Sequence, residues 1–117
     1  MSTIQRIDPG PILSEATVHN GVVYLAGQVS TGGAREIGGQ TREVLAAIDA
    51  LLARAGTDKT RILRAQIFLA DMADYSGMNA VWEQWAPPGQ APARATVQAL
   101  LAKPHWKVEI VVTAALP

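Results

Sequence analysis

The spacing of apolar residues in this chain switches from two to three-and-four and back again, twice. That switching restricts the fold before anything else does. Alternation with period two buries one face of a strand, whereas three-and-four spacing buries one stripe of a helix. The first alternating run surrounds Asn20-Gly21, a favoured dipeptide of tight hairpins because both central positions take positive φ. It predicts strands over 16–19 and 22–26, with Val22, Tyr24 and Ala26 on one face and Val23 and Leu25 on the other. Residues 30–39 are glycine-rich and irregular, with room for one short extra strand. Val44, Leu45, Ile48, Leu51, Leu52 and Ala55 then form a single stripe. They predict a helix over 40–55 closed by Gly56, with Arg54 in the last turn, where the helix dipole favours a cation.

Period two returns at 62–70, a predicted strand with Leu63, Ala65, Ile67 and Leu69 facing one way. Asp71 or Asp74 can cap a second helix, on which Tyr75, Met78, Trp82 and Trp85 share a stripe suited to core or interface packing. Pro87, Pro88, Gly89 and Pro92 forbid regular structure, and two final strands, 94–100 and 106–114, flank a bend containing Lys103 and Pro104. Strands on either side of two helices indicate an α+β fold. The expected form is a two-layer sandwich, with one mostly antiparallel sheet and both helices on one face.

Composition narrows the function. At 117 residues the chain is expected to be a single domain, 1–117. Zero cysteines exclude thiol nucleophiles and Cys-based zinc or iron–sulfur sites, and two turn histidines without HExxH-like spacing suggest no metal centre. The glycine pairs match neither a dinucleotide fingerprint nor a Walker A loop. A net charge of zero opposes nucleic acid and anionic membranes as partners. Neither a targeting segment nor a run of about 20 apolar residues is present, so the cytoplasm is the expected location. Hydrophobic residues make up 49% of the chain and charged ones only 17%. A monomer this small has too much surface to hide that excess, so the sheet face away from the helices is expected to make subunit contacts.

Arg94 and Glu109 are the charged residues that call for explanation. Arg94 opens an otherwise apolar or neutral polar strand directly after the proline-rich loop, and Glu109 is the only acid after Glu83. If the last two strands form a simple hairpin, the two lie opposite each other. Two readings then remain open: a structural cross-strand ion pair, or a pocket in which Arg94 clamps a carboxylate and Glu109 holds or activates a water.

The stretches VVYLAGQV (22–29), GQTREVLAAIDALLARAG (39–56), ILRAQIFLADMADYSGMNAVWEQW (62–85), APARATVQ (91–98) and VEI (108–110) resemble the Rid family of reactive intermediate deaminases, also called the YjgF/YER057c/UK-type family. The resemblance covers residues 10–115 and is most specific in PAR…VEI. It implies a chorismate-mutase-like fold assembled as a homotrimer, with three clefts between subunits. It also implies hydrolysis of 2-enamine or 2-imine acids to 2-oxo acids and ammonia, without metal or cofactor. In that pattern Arg94 binds the substrate carboxylate, Glu109 places the water, and Gly27 and Asn79 fall on substrate-binding positions. The departures are Ile12-Leu13-Ser14 where a Tyr is usual, Ala26 where a Ser is usual, and Val111 where a second Glu is common. These leave the cleft more apolar and suggest a bulkier imino acid. The alternative is a non-catalytic trimer that binds small carboxylates. Ribonuclease activity, known among relatives, is opposed by the neutral charge, three lysines and no basic, aromatic-laced stretch.

Overall fold

A computed structural model describes residues 3–117. Seven strands and two helices follow in the order β1 (Gln5–Pro9), β2 (Ser14–His19), β3 (Val22–Leu25), β4 (Gln28–Val29), α1 (Ile37–Ala55), β5 (Ile62–Leu69), α2 (Tyr75–Trp85), β6 (Ala93–Gln98) and β7 (Val108–Ala115). One mixed sheet runs β1-β2-β3-β7-β5-β6, with β4 also on β7. All pairings are antiparallel except β5 with β6. The α+β architecture and the two helices agree with the expectation.

One side of the sheet is buried. Ala16, Val18, Val23, Leu25, Ala65, Ile67, Leu69, Val108, Ile110, Val112 and Ala114 turn inward to meet Val44, Leu45, Ile48 and Leu52 of α1 and Met78 and Trp82 of α2. Asn20 and Gly21 take φ of 51° and 78°, as the hairpin predicted. Gly56 closes α1 at φ 93°, its N–H on the Ala53 carbonyl.

Several expectations are corrected. The last two strands are not a hairpin, because β5 lies between β6 and β7. The segment β5–α2–β6 is a crossover unit, so β6 returns parallel to β5 and occupies its free edge. The register of β5 shifts between Ile62 and Arg64, a bulge that sends Ile62 into the core and leaves Leu63 51% exposed, against the predicted inward Leu63. Helix α1 begins at Ile37, three residues early, because Gly38 and Gly39 complete its first turn. Asp71 caps a single 3-10 turn, Met72–Asp74, through the Ala73 N–H, and that turn feeds α2. Strand β1 escapes sequence reading because only Ile7 of its five residues is buried, so no alternation marks it.

Gln40 fixes the layout at one end of the molecule. It is 1% exposed, donates to the carbonyls of Ala34 (3.1 Å) and His105 (2.9 Å), and accepts from the Lys107 N–H (2.8 Å). One buried amide thus ties the glycine-rich loop to the bend before β7.

Candidate functional site

Arg94 projects to the helix side of the sheet. It pairs in register with Ala65, a fully buried inward residue, and sits on the free edge strand. Its guanidinium donates to Asn79 Oδ1 (2.7 Å) and to the Tyr75 hydroxyl (2.8 Å), and lies 5.2 Å from the Trp82 ring centroid and 5.8 Å from that of Tyr75. Tyr75, Asn79 and Trp82 are spaced four and three along α2, so one helix face forms the whole cradle. Both acceptors are neutral. The guanidinium is oriented and half-buried, and among the described residues no carboxylate pairs with it directly, although the Asn79 amide also donates to Glu83 Oε1 (3.1 Å); three of its five N–H donors are not engaged by these bonds. Thr96, two residues along the same face of β6, has a buried hydroxyl oxygen with no hydrogen-bond partner.

Glu109 lies on the other face. Its register partners are Phe68 and Val29, and its neighbours Val108 and Ile110 point into the core. Strands β3 and β4 form one line along β7 that breaks at Ala26-Gly27, and the break brings Gly27 onto the Glu109 side chain. A Cβ at Gly27 would stand 2.2 Å from Glu109 Oε2 and 2.9 Å from its Cδ. Glycine is what lets the backbone approach the carboxylate.

The four residues singled out in the sequence therefore fall into two pairs. Arg94 meets Asn79 on one side of the sheet, and Glu109 meets Gly27 on the other. The pairs do not meet within one subunit. With strands about 4.8 Å apart and a rise of about 3.3 Å per residue, two strands across and three residues along separate the backbones by roughly 14 Å. The opposite-strand ion pair is thus ruled out in the single chain, since it needed β6 and β7 to be neighbours. Sequence reasoning missed Tyr75 and Trp82 as partners of Arg94 because aromatic residues at helical spacing read as packing. Their shared stripe with Asn79 was the available signal.

Arg64 and Gln66 of β5 share the open face with Glu109. Leu13 and Ile12 are 54% and 91% exposed, and Tyr24 and Val97, on the open face, are 49% and 45% exposed. Among the described residues no group of three or more His, Cys, Asp or Glu converges as a metal site, and no helix is long and apolar enough to cross a membrane.

The fold and much of the sequence are shared with known proteins. Residues 3–116 match the family model described as endoribonuclease L-PSP. The chain is 53% identical over 116 residues to a RutC family protein of Haemophilus influenzae, covering 96% of this chain and 97% of that one. It is 44% identical over 114 residues to the RutC family protein YoaB of Escherichia coli, covering 97% and 99%. A solved member of the YjgF family from Neisseria meningitidis superposes with a TM-score of 0.96 at 45% identity, covering 98% and 96%. A solved Rid family protein from Yersinia pestis gives 0.90 at 31%, covering 97% and 100%. This chain belongs to the YjgF/RutC/Rid family.

Proposed function

We propose that the protein hydrolyses reactive 2-imino acids, and their 2-enamine tautomers, to 2-oxo acids and ammonia in clefts between the subunits of a homotrimer. The observation that carries this reading is the state of Arg94: a half-buried guanidinium held by two neutral acceptors and facing no carboxylate of its own. Such a group is prepared for an anionic partner with the flat, two-oxygen shape of a carboxylate. The separation of Arg94 and Glu109 within one chain supports a site completed by a neighbouring copy, in which one protomer supplies Arg94 with Asn79 and the next supplies Glu109 with Gly27.

The chemistry then needs little. Arg94 anchors the carboxylate and places the C=N carbon. Glu109 accepts a proton from a water as its oxygen adds to that carbon, giving a carbinolamine. Return of that proton to nitrogen completes the neutral carbinolamine, and transfer of its hydroxyl proton to nitrogen as the C–N bond breaks releases ammonia and leaves the 2-oxo acid, so one water is consumed per imine. Positioning supplies most of the rate, because an imine is already electrophilic. The exposed Leu13 and Ile12, with Ala26 at the strand break, favour imines with bulky apolar side chains over those with small ones.

The test generates imines in place with an amino-acid oxidase and follows loss of semicarbazide trapping. Hydrolysis that falls to background in Glu109→Gln, with faster turnover of imines from leucine-like than from alanine-like amino acids, is the expected result. No acceleration of any imine overturns the deaminase reading. A second reading, a non-catalytic carboxylate binder, is favoured by the loss of the usual polar groups at 12–14 and 26. It predicts 2-oxo acid binding to the wild-type protein that needs Arg94, with no turnover at all.

A further inference from the structure

We infer that the cleft between residues 30–35 and 103–107 is a separate binding site for a small phosphorylated anion carrying two or more negative centres. The cavity encloses about 770 Å3, within the roughly 300–1,000 Å3 of small-molecule sites. Neither Arg94 nor Glu109 lines it.

Its charge is the first argument. Arg35 stands on one wall, and Lys103, His105 and Lys107 on the other, with no acidic residue in the lining. The whole chain is neutral and has three lysines, two of which are here. Among the described residues no acid forms an ion pair with Arg35, Lys103 or Lys107, and the one salt bridge found there joins Arg54 to Asp8. Like charges gathered in a concave surface raise the local potential and draw in counter-ions. Cations on both walls suit a ligand whose negative groups are spaced apart, such as a diphosphate, better than a single carboxylate.

Rigidity is the second argument. Gln40 joins the two walls from beneath through its bonds to Ala34, His105 and Lys107. Glu43, which does not line the cavity, accepts from the Ser30 hydroxyl and from the N–H groups of Gly32 (3.1 Å) and Ala34 (3.3 Å), so the glycine-rich wall is held in shape. The Lys103 ammonium lies 5.3 Å from the Trp106 ring centroid, and the His105 ring meets the same ring edge-on. A cleft with fixed walls loses less freedom on binding than mobile loops would.

The experiment titrates the intact protein with inorganic pyrophosphate and, separately, inorganic phosphate at constant ionic strength, following backbone amide resonances. Saturable shifts at Gly32, Gly33, Ala34 and Lys107, tighter for pyrophosphate than for phosphate, are expected. Lys103→Gln combined with Lys107→Gln should weaken pyrophosphate at least about tenfold, the equivalent of about 1.4 kcal/mol. Arg94→Ala should leave it unchanged, which separates this site from the imine site. Three results would each overturn the proposal: shifts that do not saturate, shifts that persist in the double variant, or binding lost in Arg94→Ala. Binding of an RNA oligonucleotide here without binding of pyrophosphate would do the same.

Discussion

At Gly27 a single methyl group would collide with the carboxylate that the proposed reaction uses. Gly27→Ala places Cβ 2.2 Å from Glu109 Oε2, and the flexible end of Glu109 must swing aside while the backbone stays put. Activity should fall about 100-fold, since a displacement near 1 Å at a reacting group costs that much. Stability should change by less than about 1 kcal/mol, so melting and rate measured together separate misplacement from misfolding. Asn79 offers a test of sign. Asn79→Ala removes the 2.7 Å bond to Arg94 and should raise KM roughly tenfold, in line with a lost hydrogen bond to a charged group. Asn79→Asp keeps an acceptor but adds a negative charge that competes with the substrate carboxylate, so its KM should rise further. A KM restored in Asn79→Asp would show that the contact is merely structural.

At the scale of elements, loops and strands are joined by a few polar ties. Gln40→Leu strands the Lys107 N–H and two carbonyls, and should cost about 2–4 kcal/mol by chemical denaturation, as buried unsatisfied groups do. Strand β1 is tied to α1 at the surface, where Asp8 at φ 49° accepts from Arg54 at 2.6 and 2.9 Å. The Arg54 hydrogen bond holds the Asp8 carboxyl below its ordinary value of 3.8, and the Thr60 hydroxyl and N–H do the same for Asp58. Because both folded values are depressed, their contribution is complete above about pH 4 and is lost as pH falls through the folded values. Melting curves should show wild type above Asp8→Asn at pH 6, with the two converging in strong acid. Most elements were legible because their residues alternate or recur within a few positions, as in β3, α1 and α2. Strand β1 and the Leu63 bulge were not, because neither leaves a periodic mark.

For the whole molecule, the described chain exposes 6672 Å2, where a compact monomer of 12.4 kDa should expose roughly 6,100 Å2. The proposed trimer would cover part of that surface. If Arg94 and Glu109 act across a subunit boundary, two inactive variants can rescue each other. Arg94→Ala and Glu109→Gln, unfolded together in equal amounts and refolded, should regain about a quarter of wild-type activity, the share of clefts that draw both intact residues in a random cyclic trimer. No regain would overturn the shared cleft. Sedimentation should show a trimer for wild type and smaller species for Val97→Asp, which puts a charge on the open face.

What the sequence determined by itself was local and periodic: most of the helices and strands, the inward side of most of them, and that Arg94 and Glu109 stand apart from the core pattern, whereas Gly27 and Asn79 were marked only by the family resemblance. Periodicity works over a few residues, so it reports the faces of an element and not the identity of its neighbours. Only the tertiary structure decided that β5 lies between β6 and β7, because strand pairing is settled by crossover geometry and by competition for a free edge between segments far apart in the chain. With that order Arg94 stands on the helix side and Glu109 on the open side, so an apparent ion pair becomes two clusters on opposite faces of the sheet.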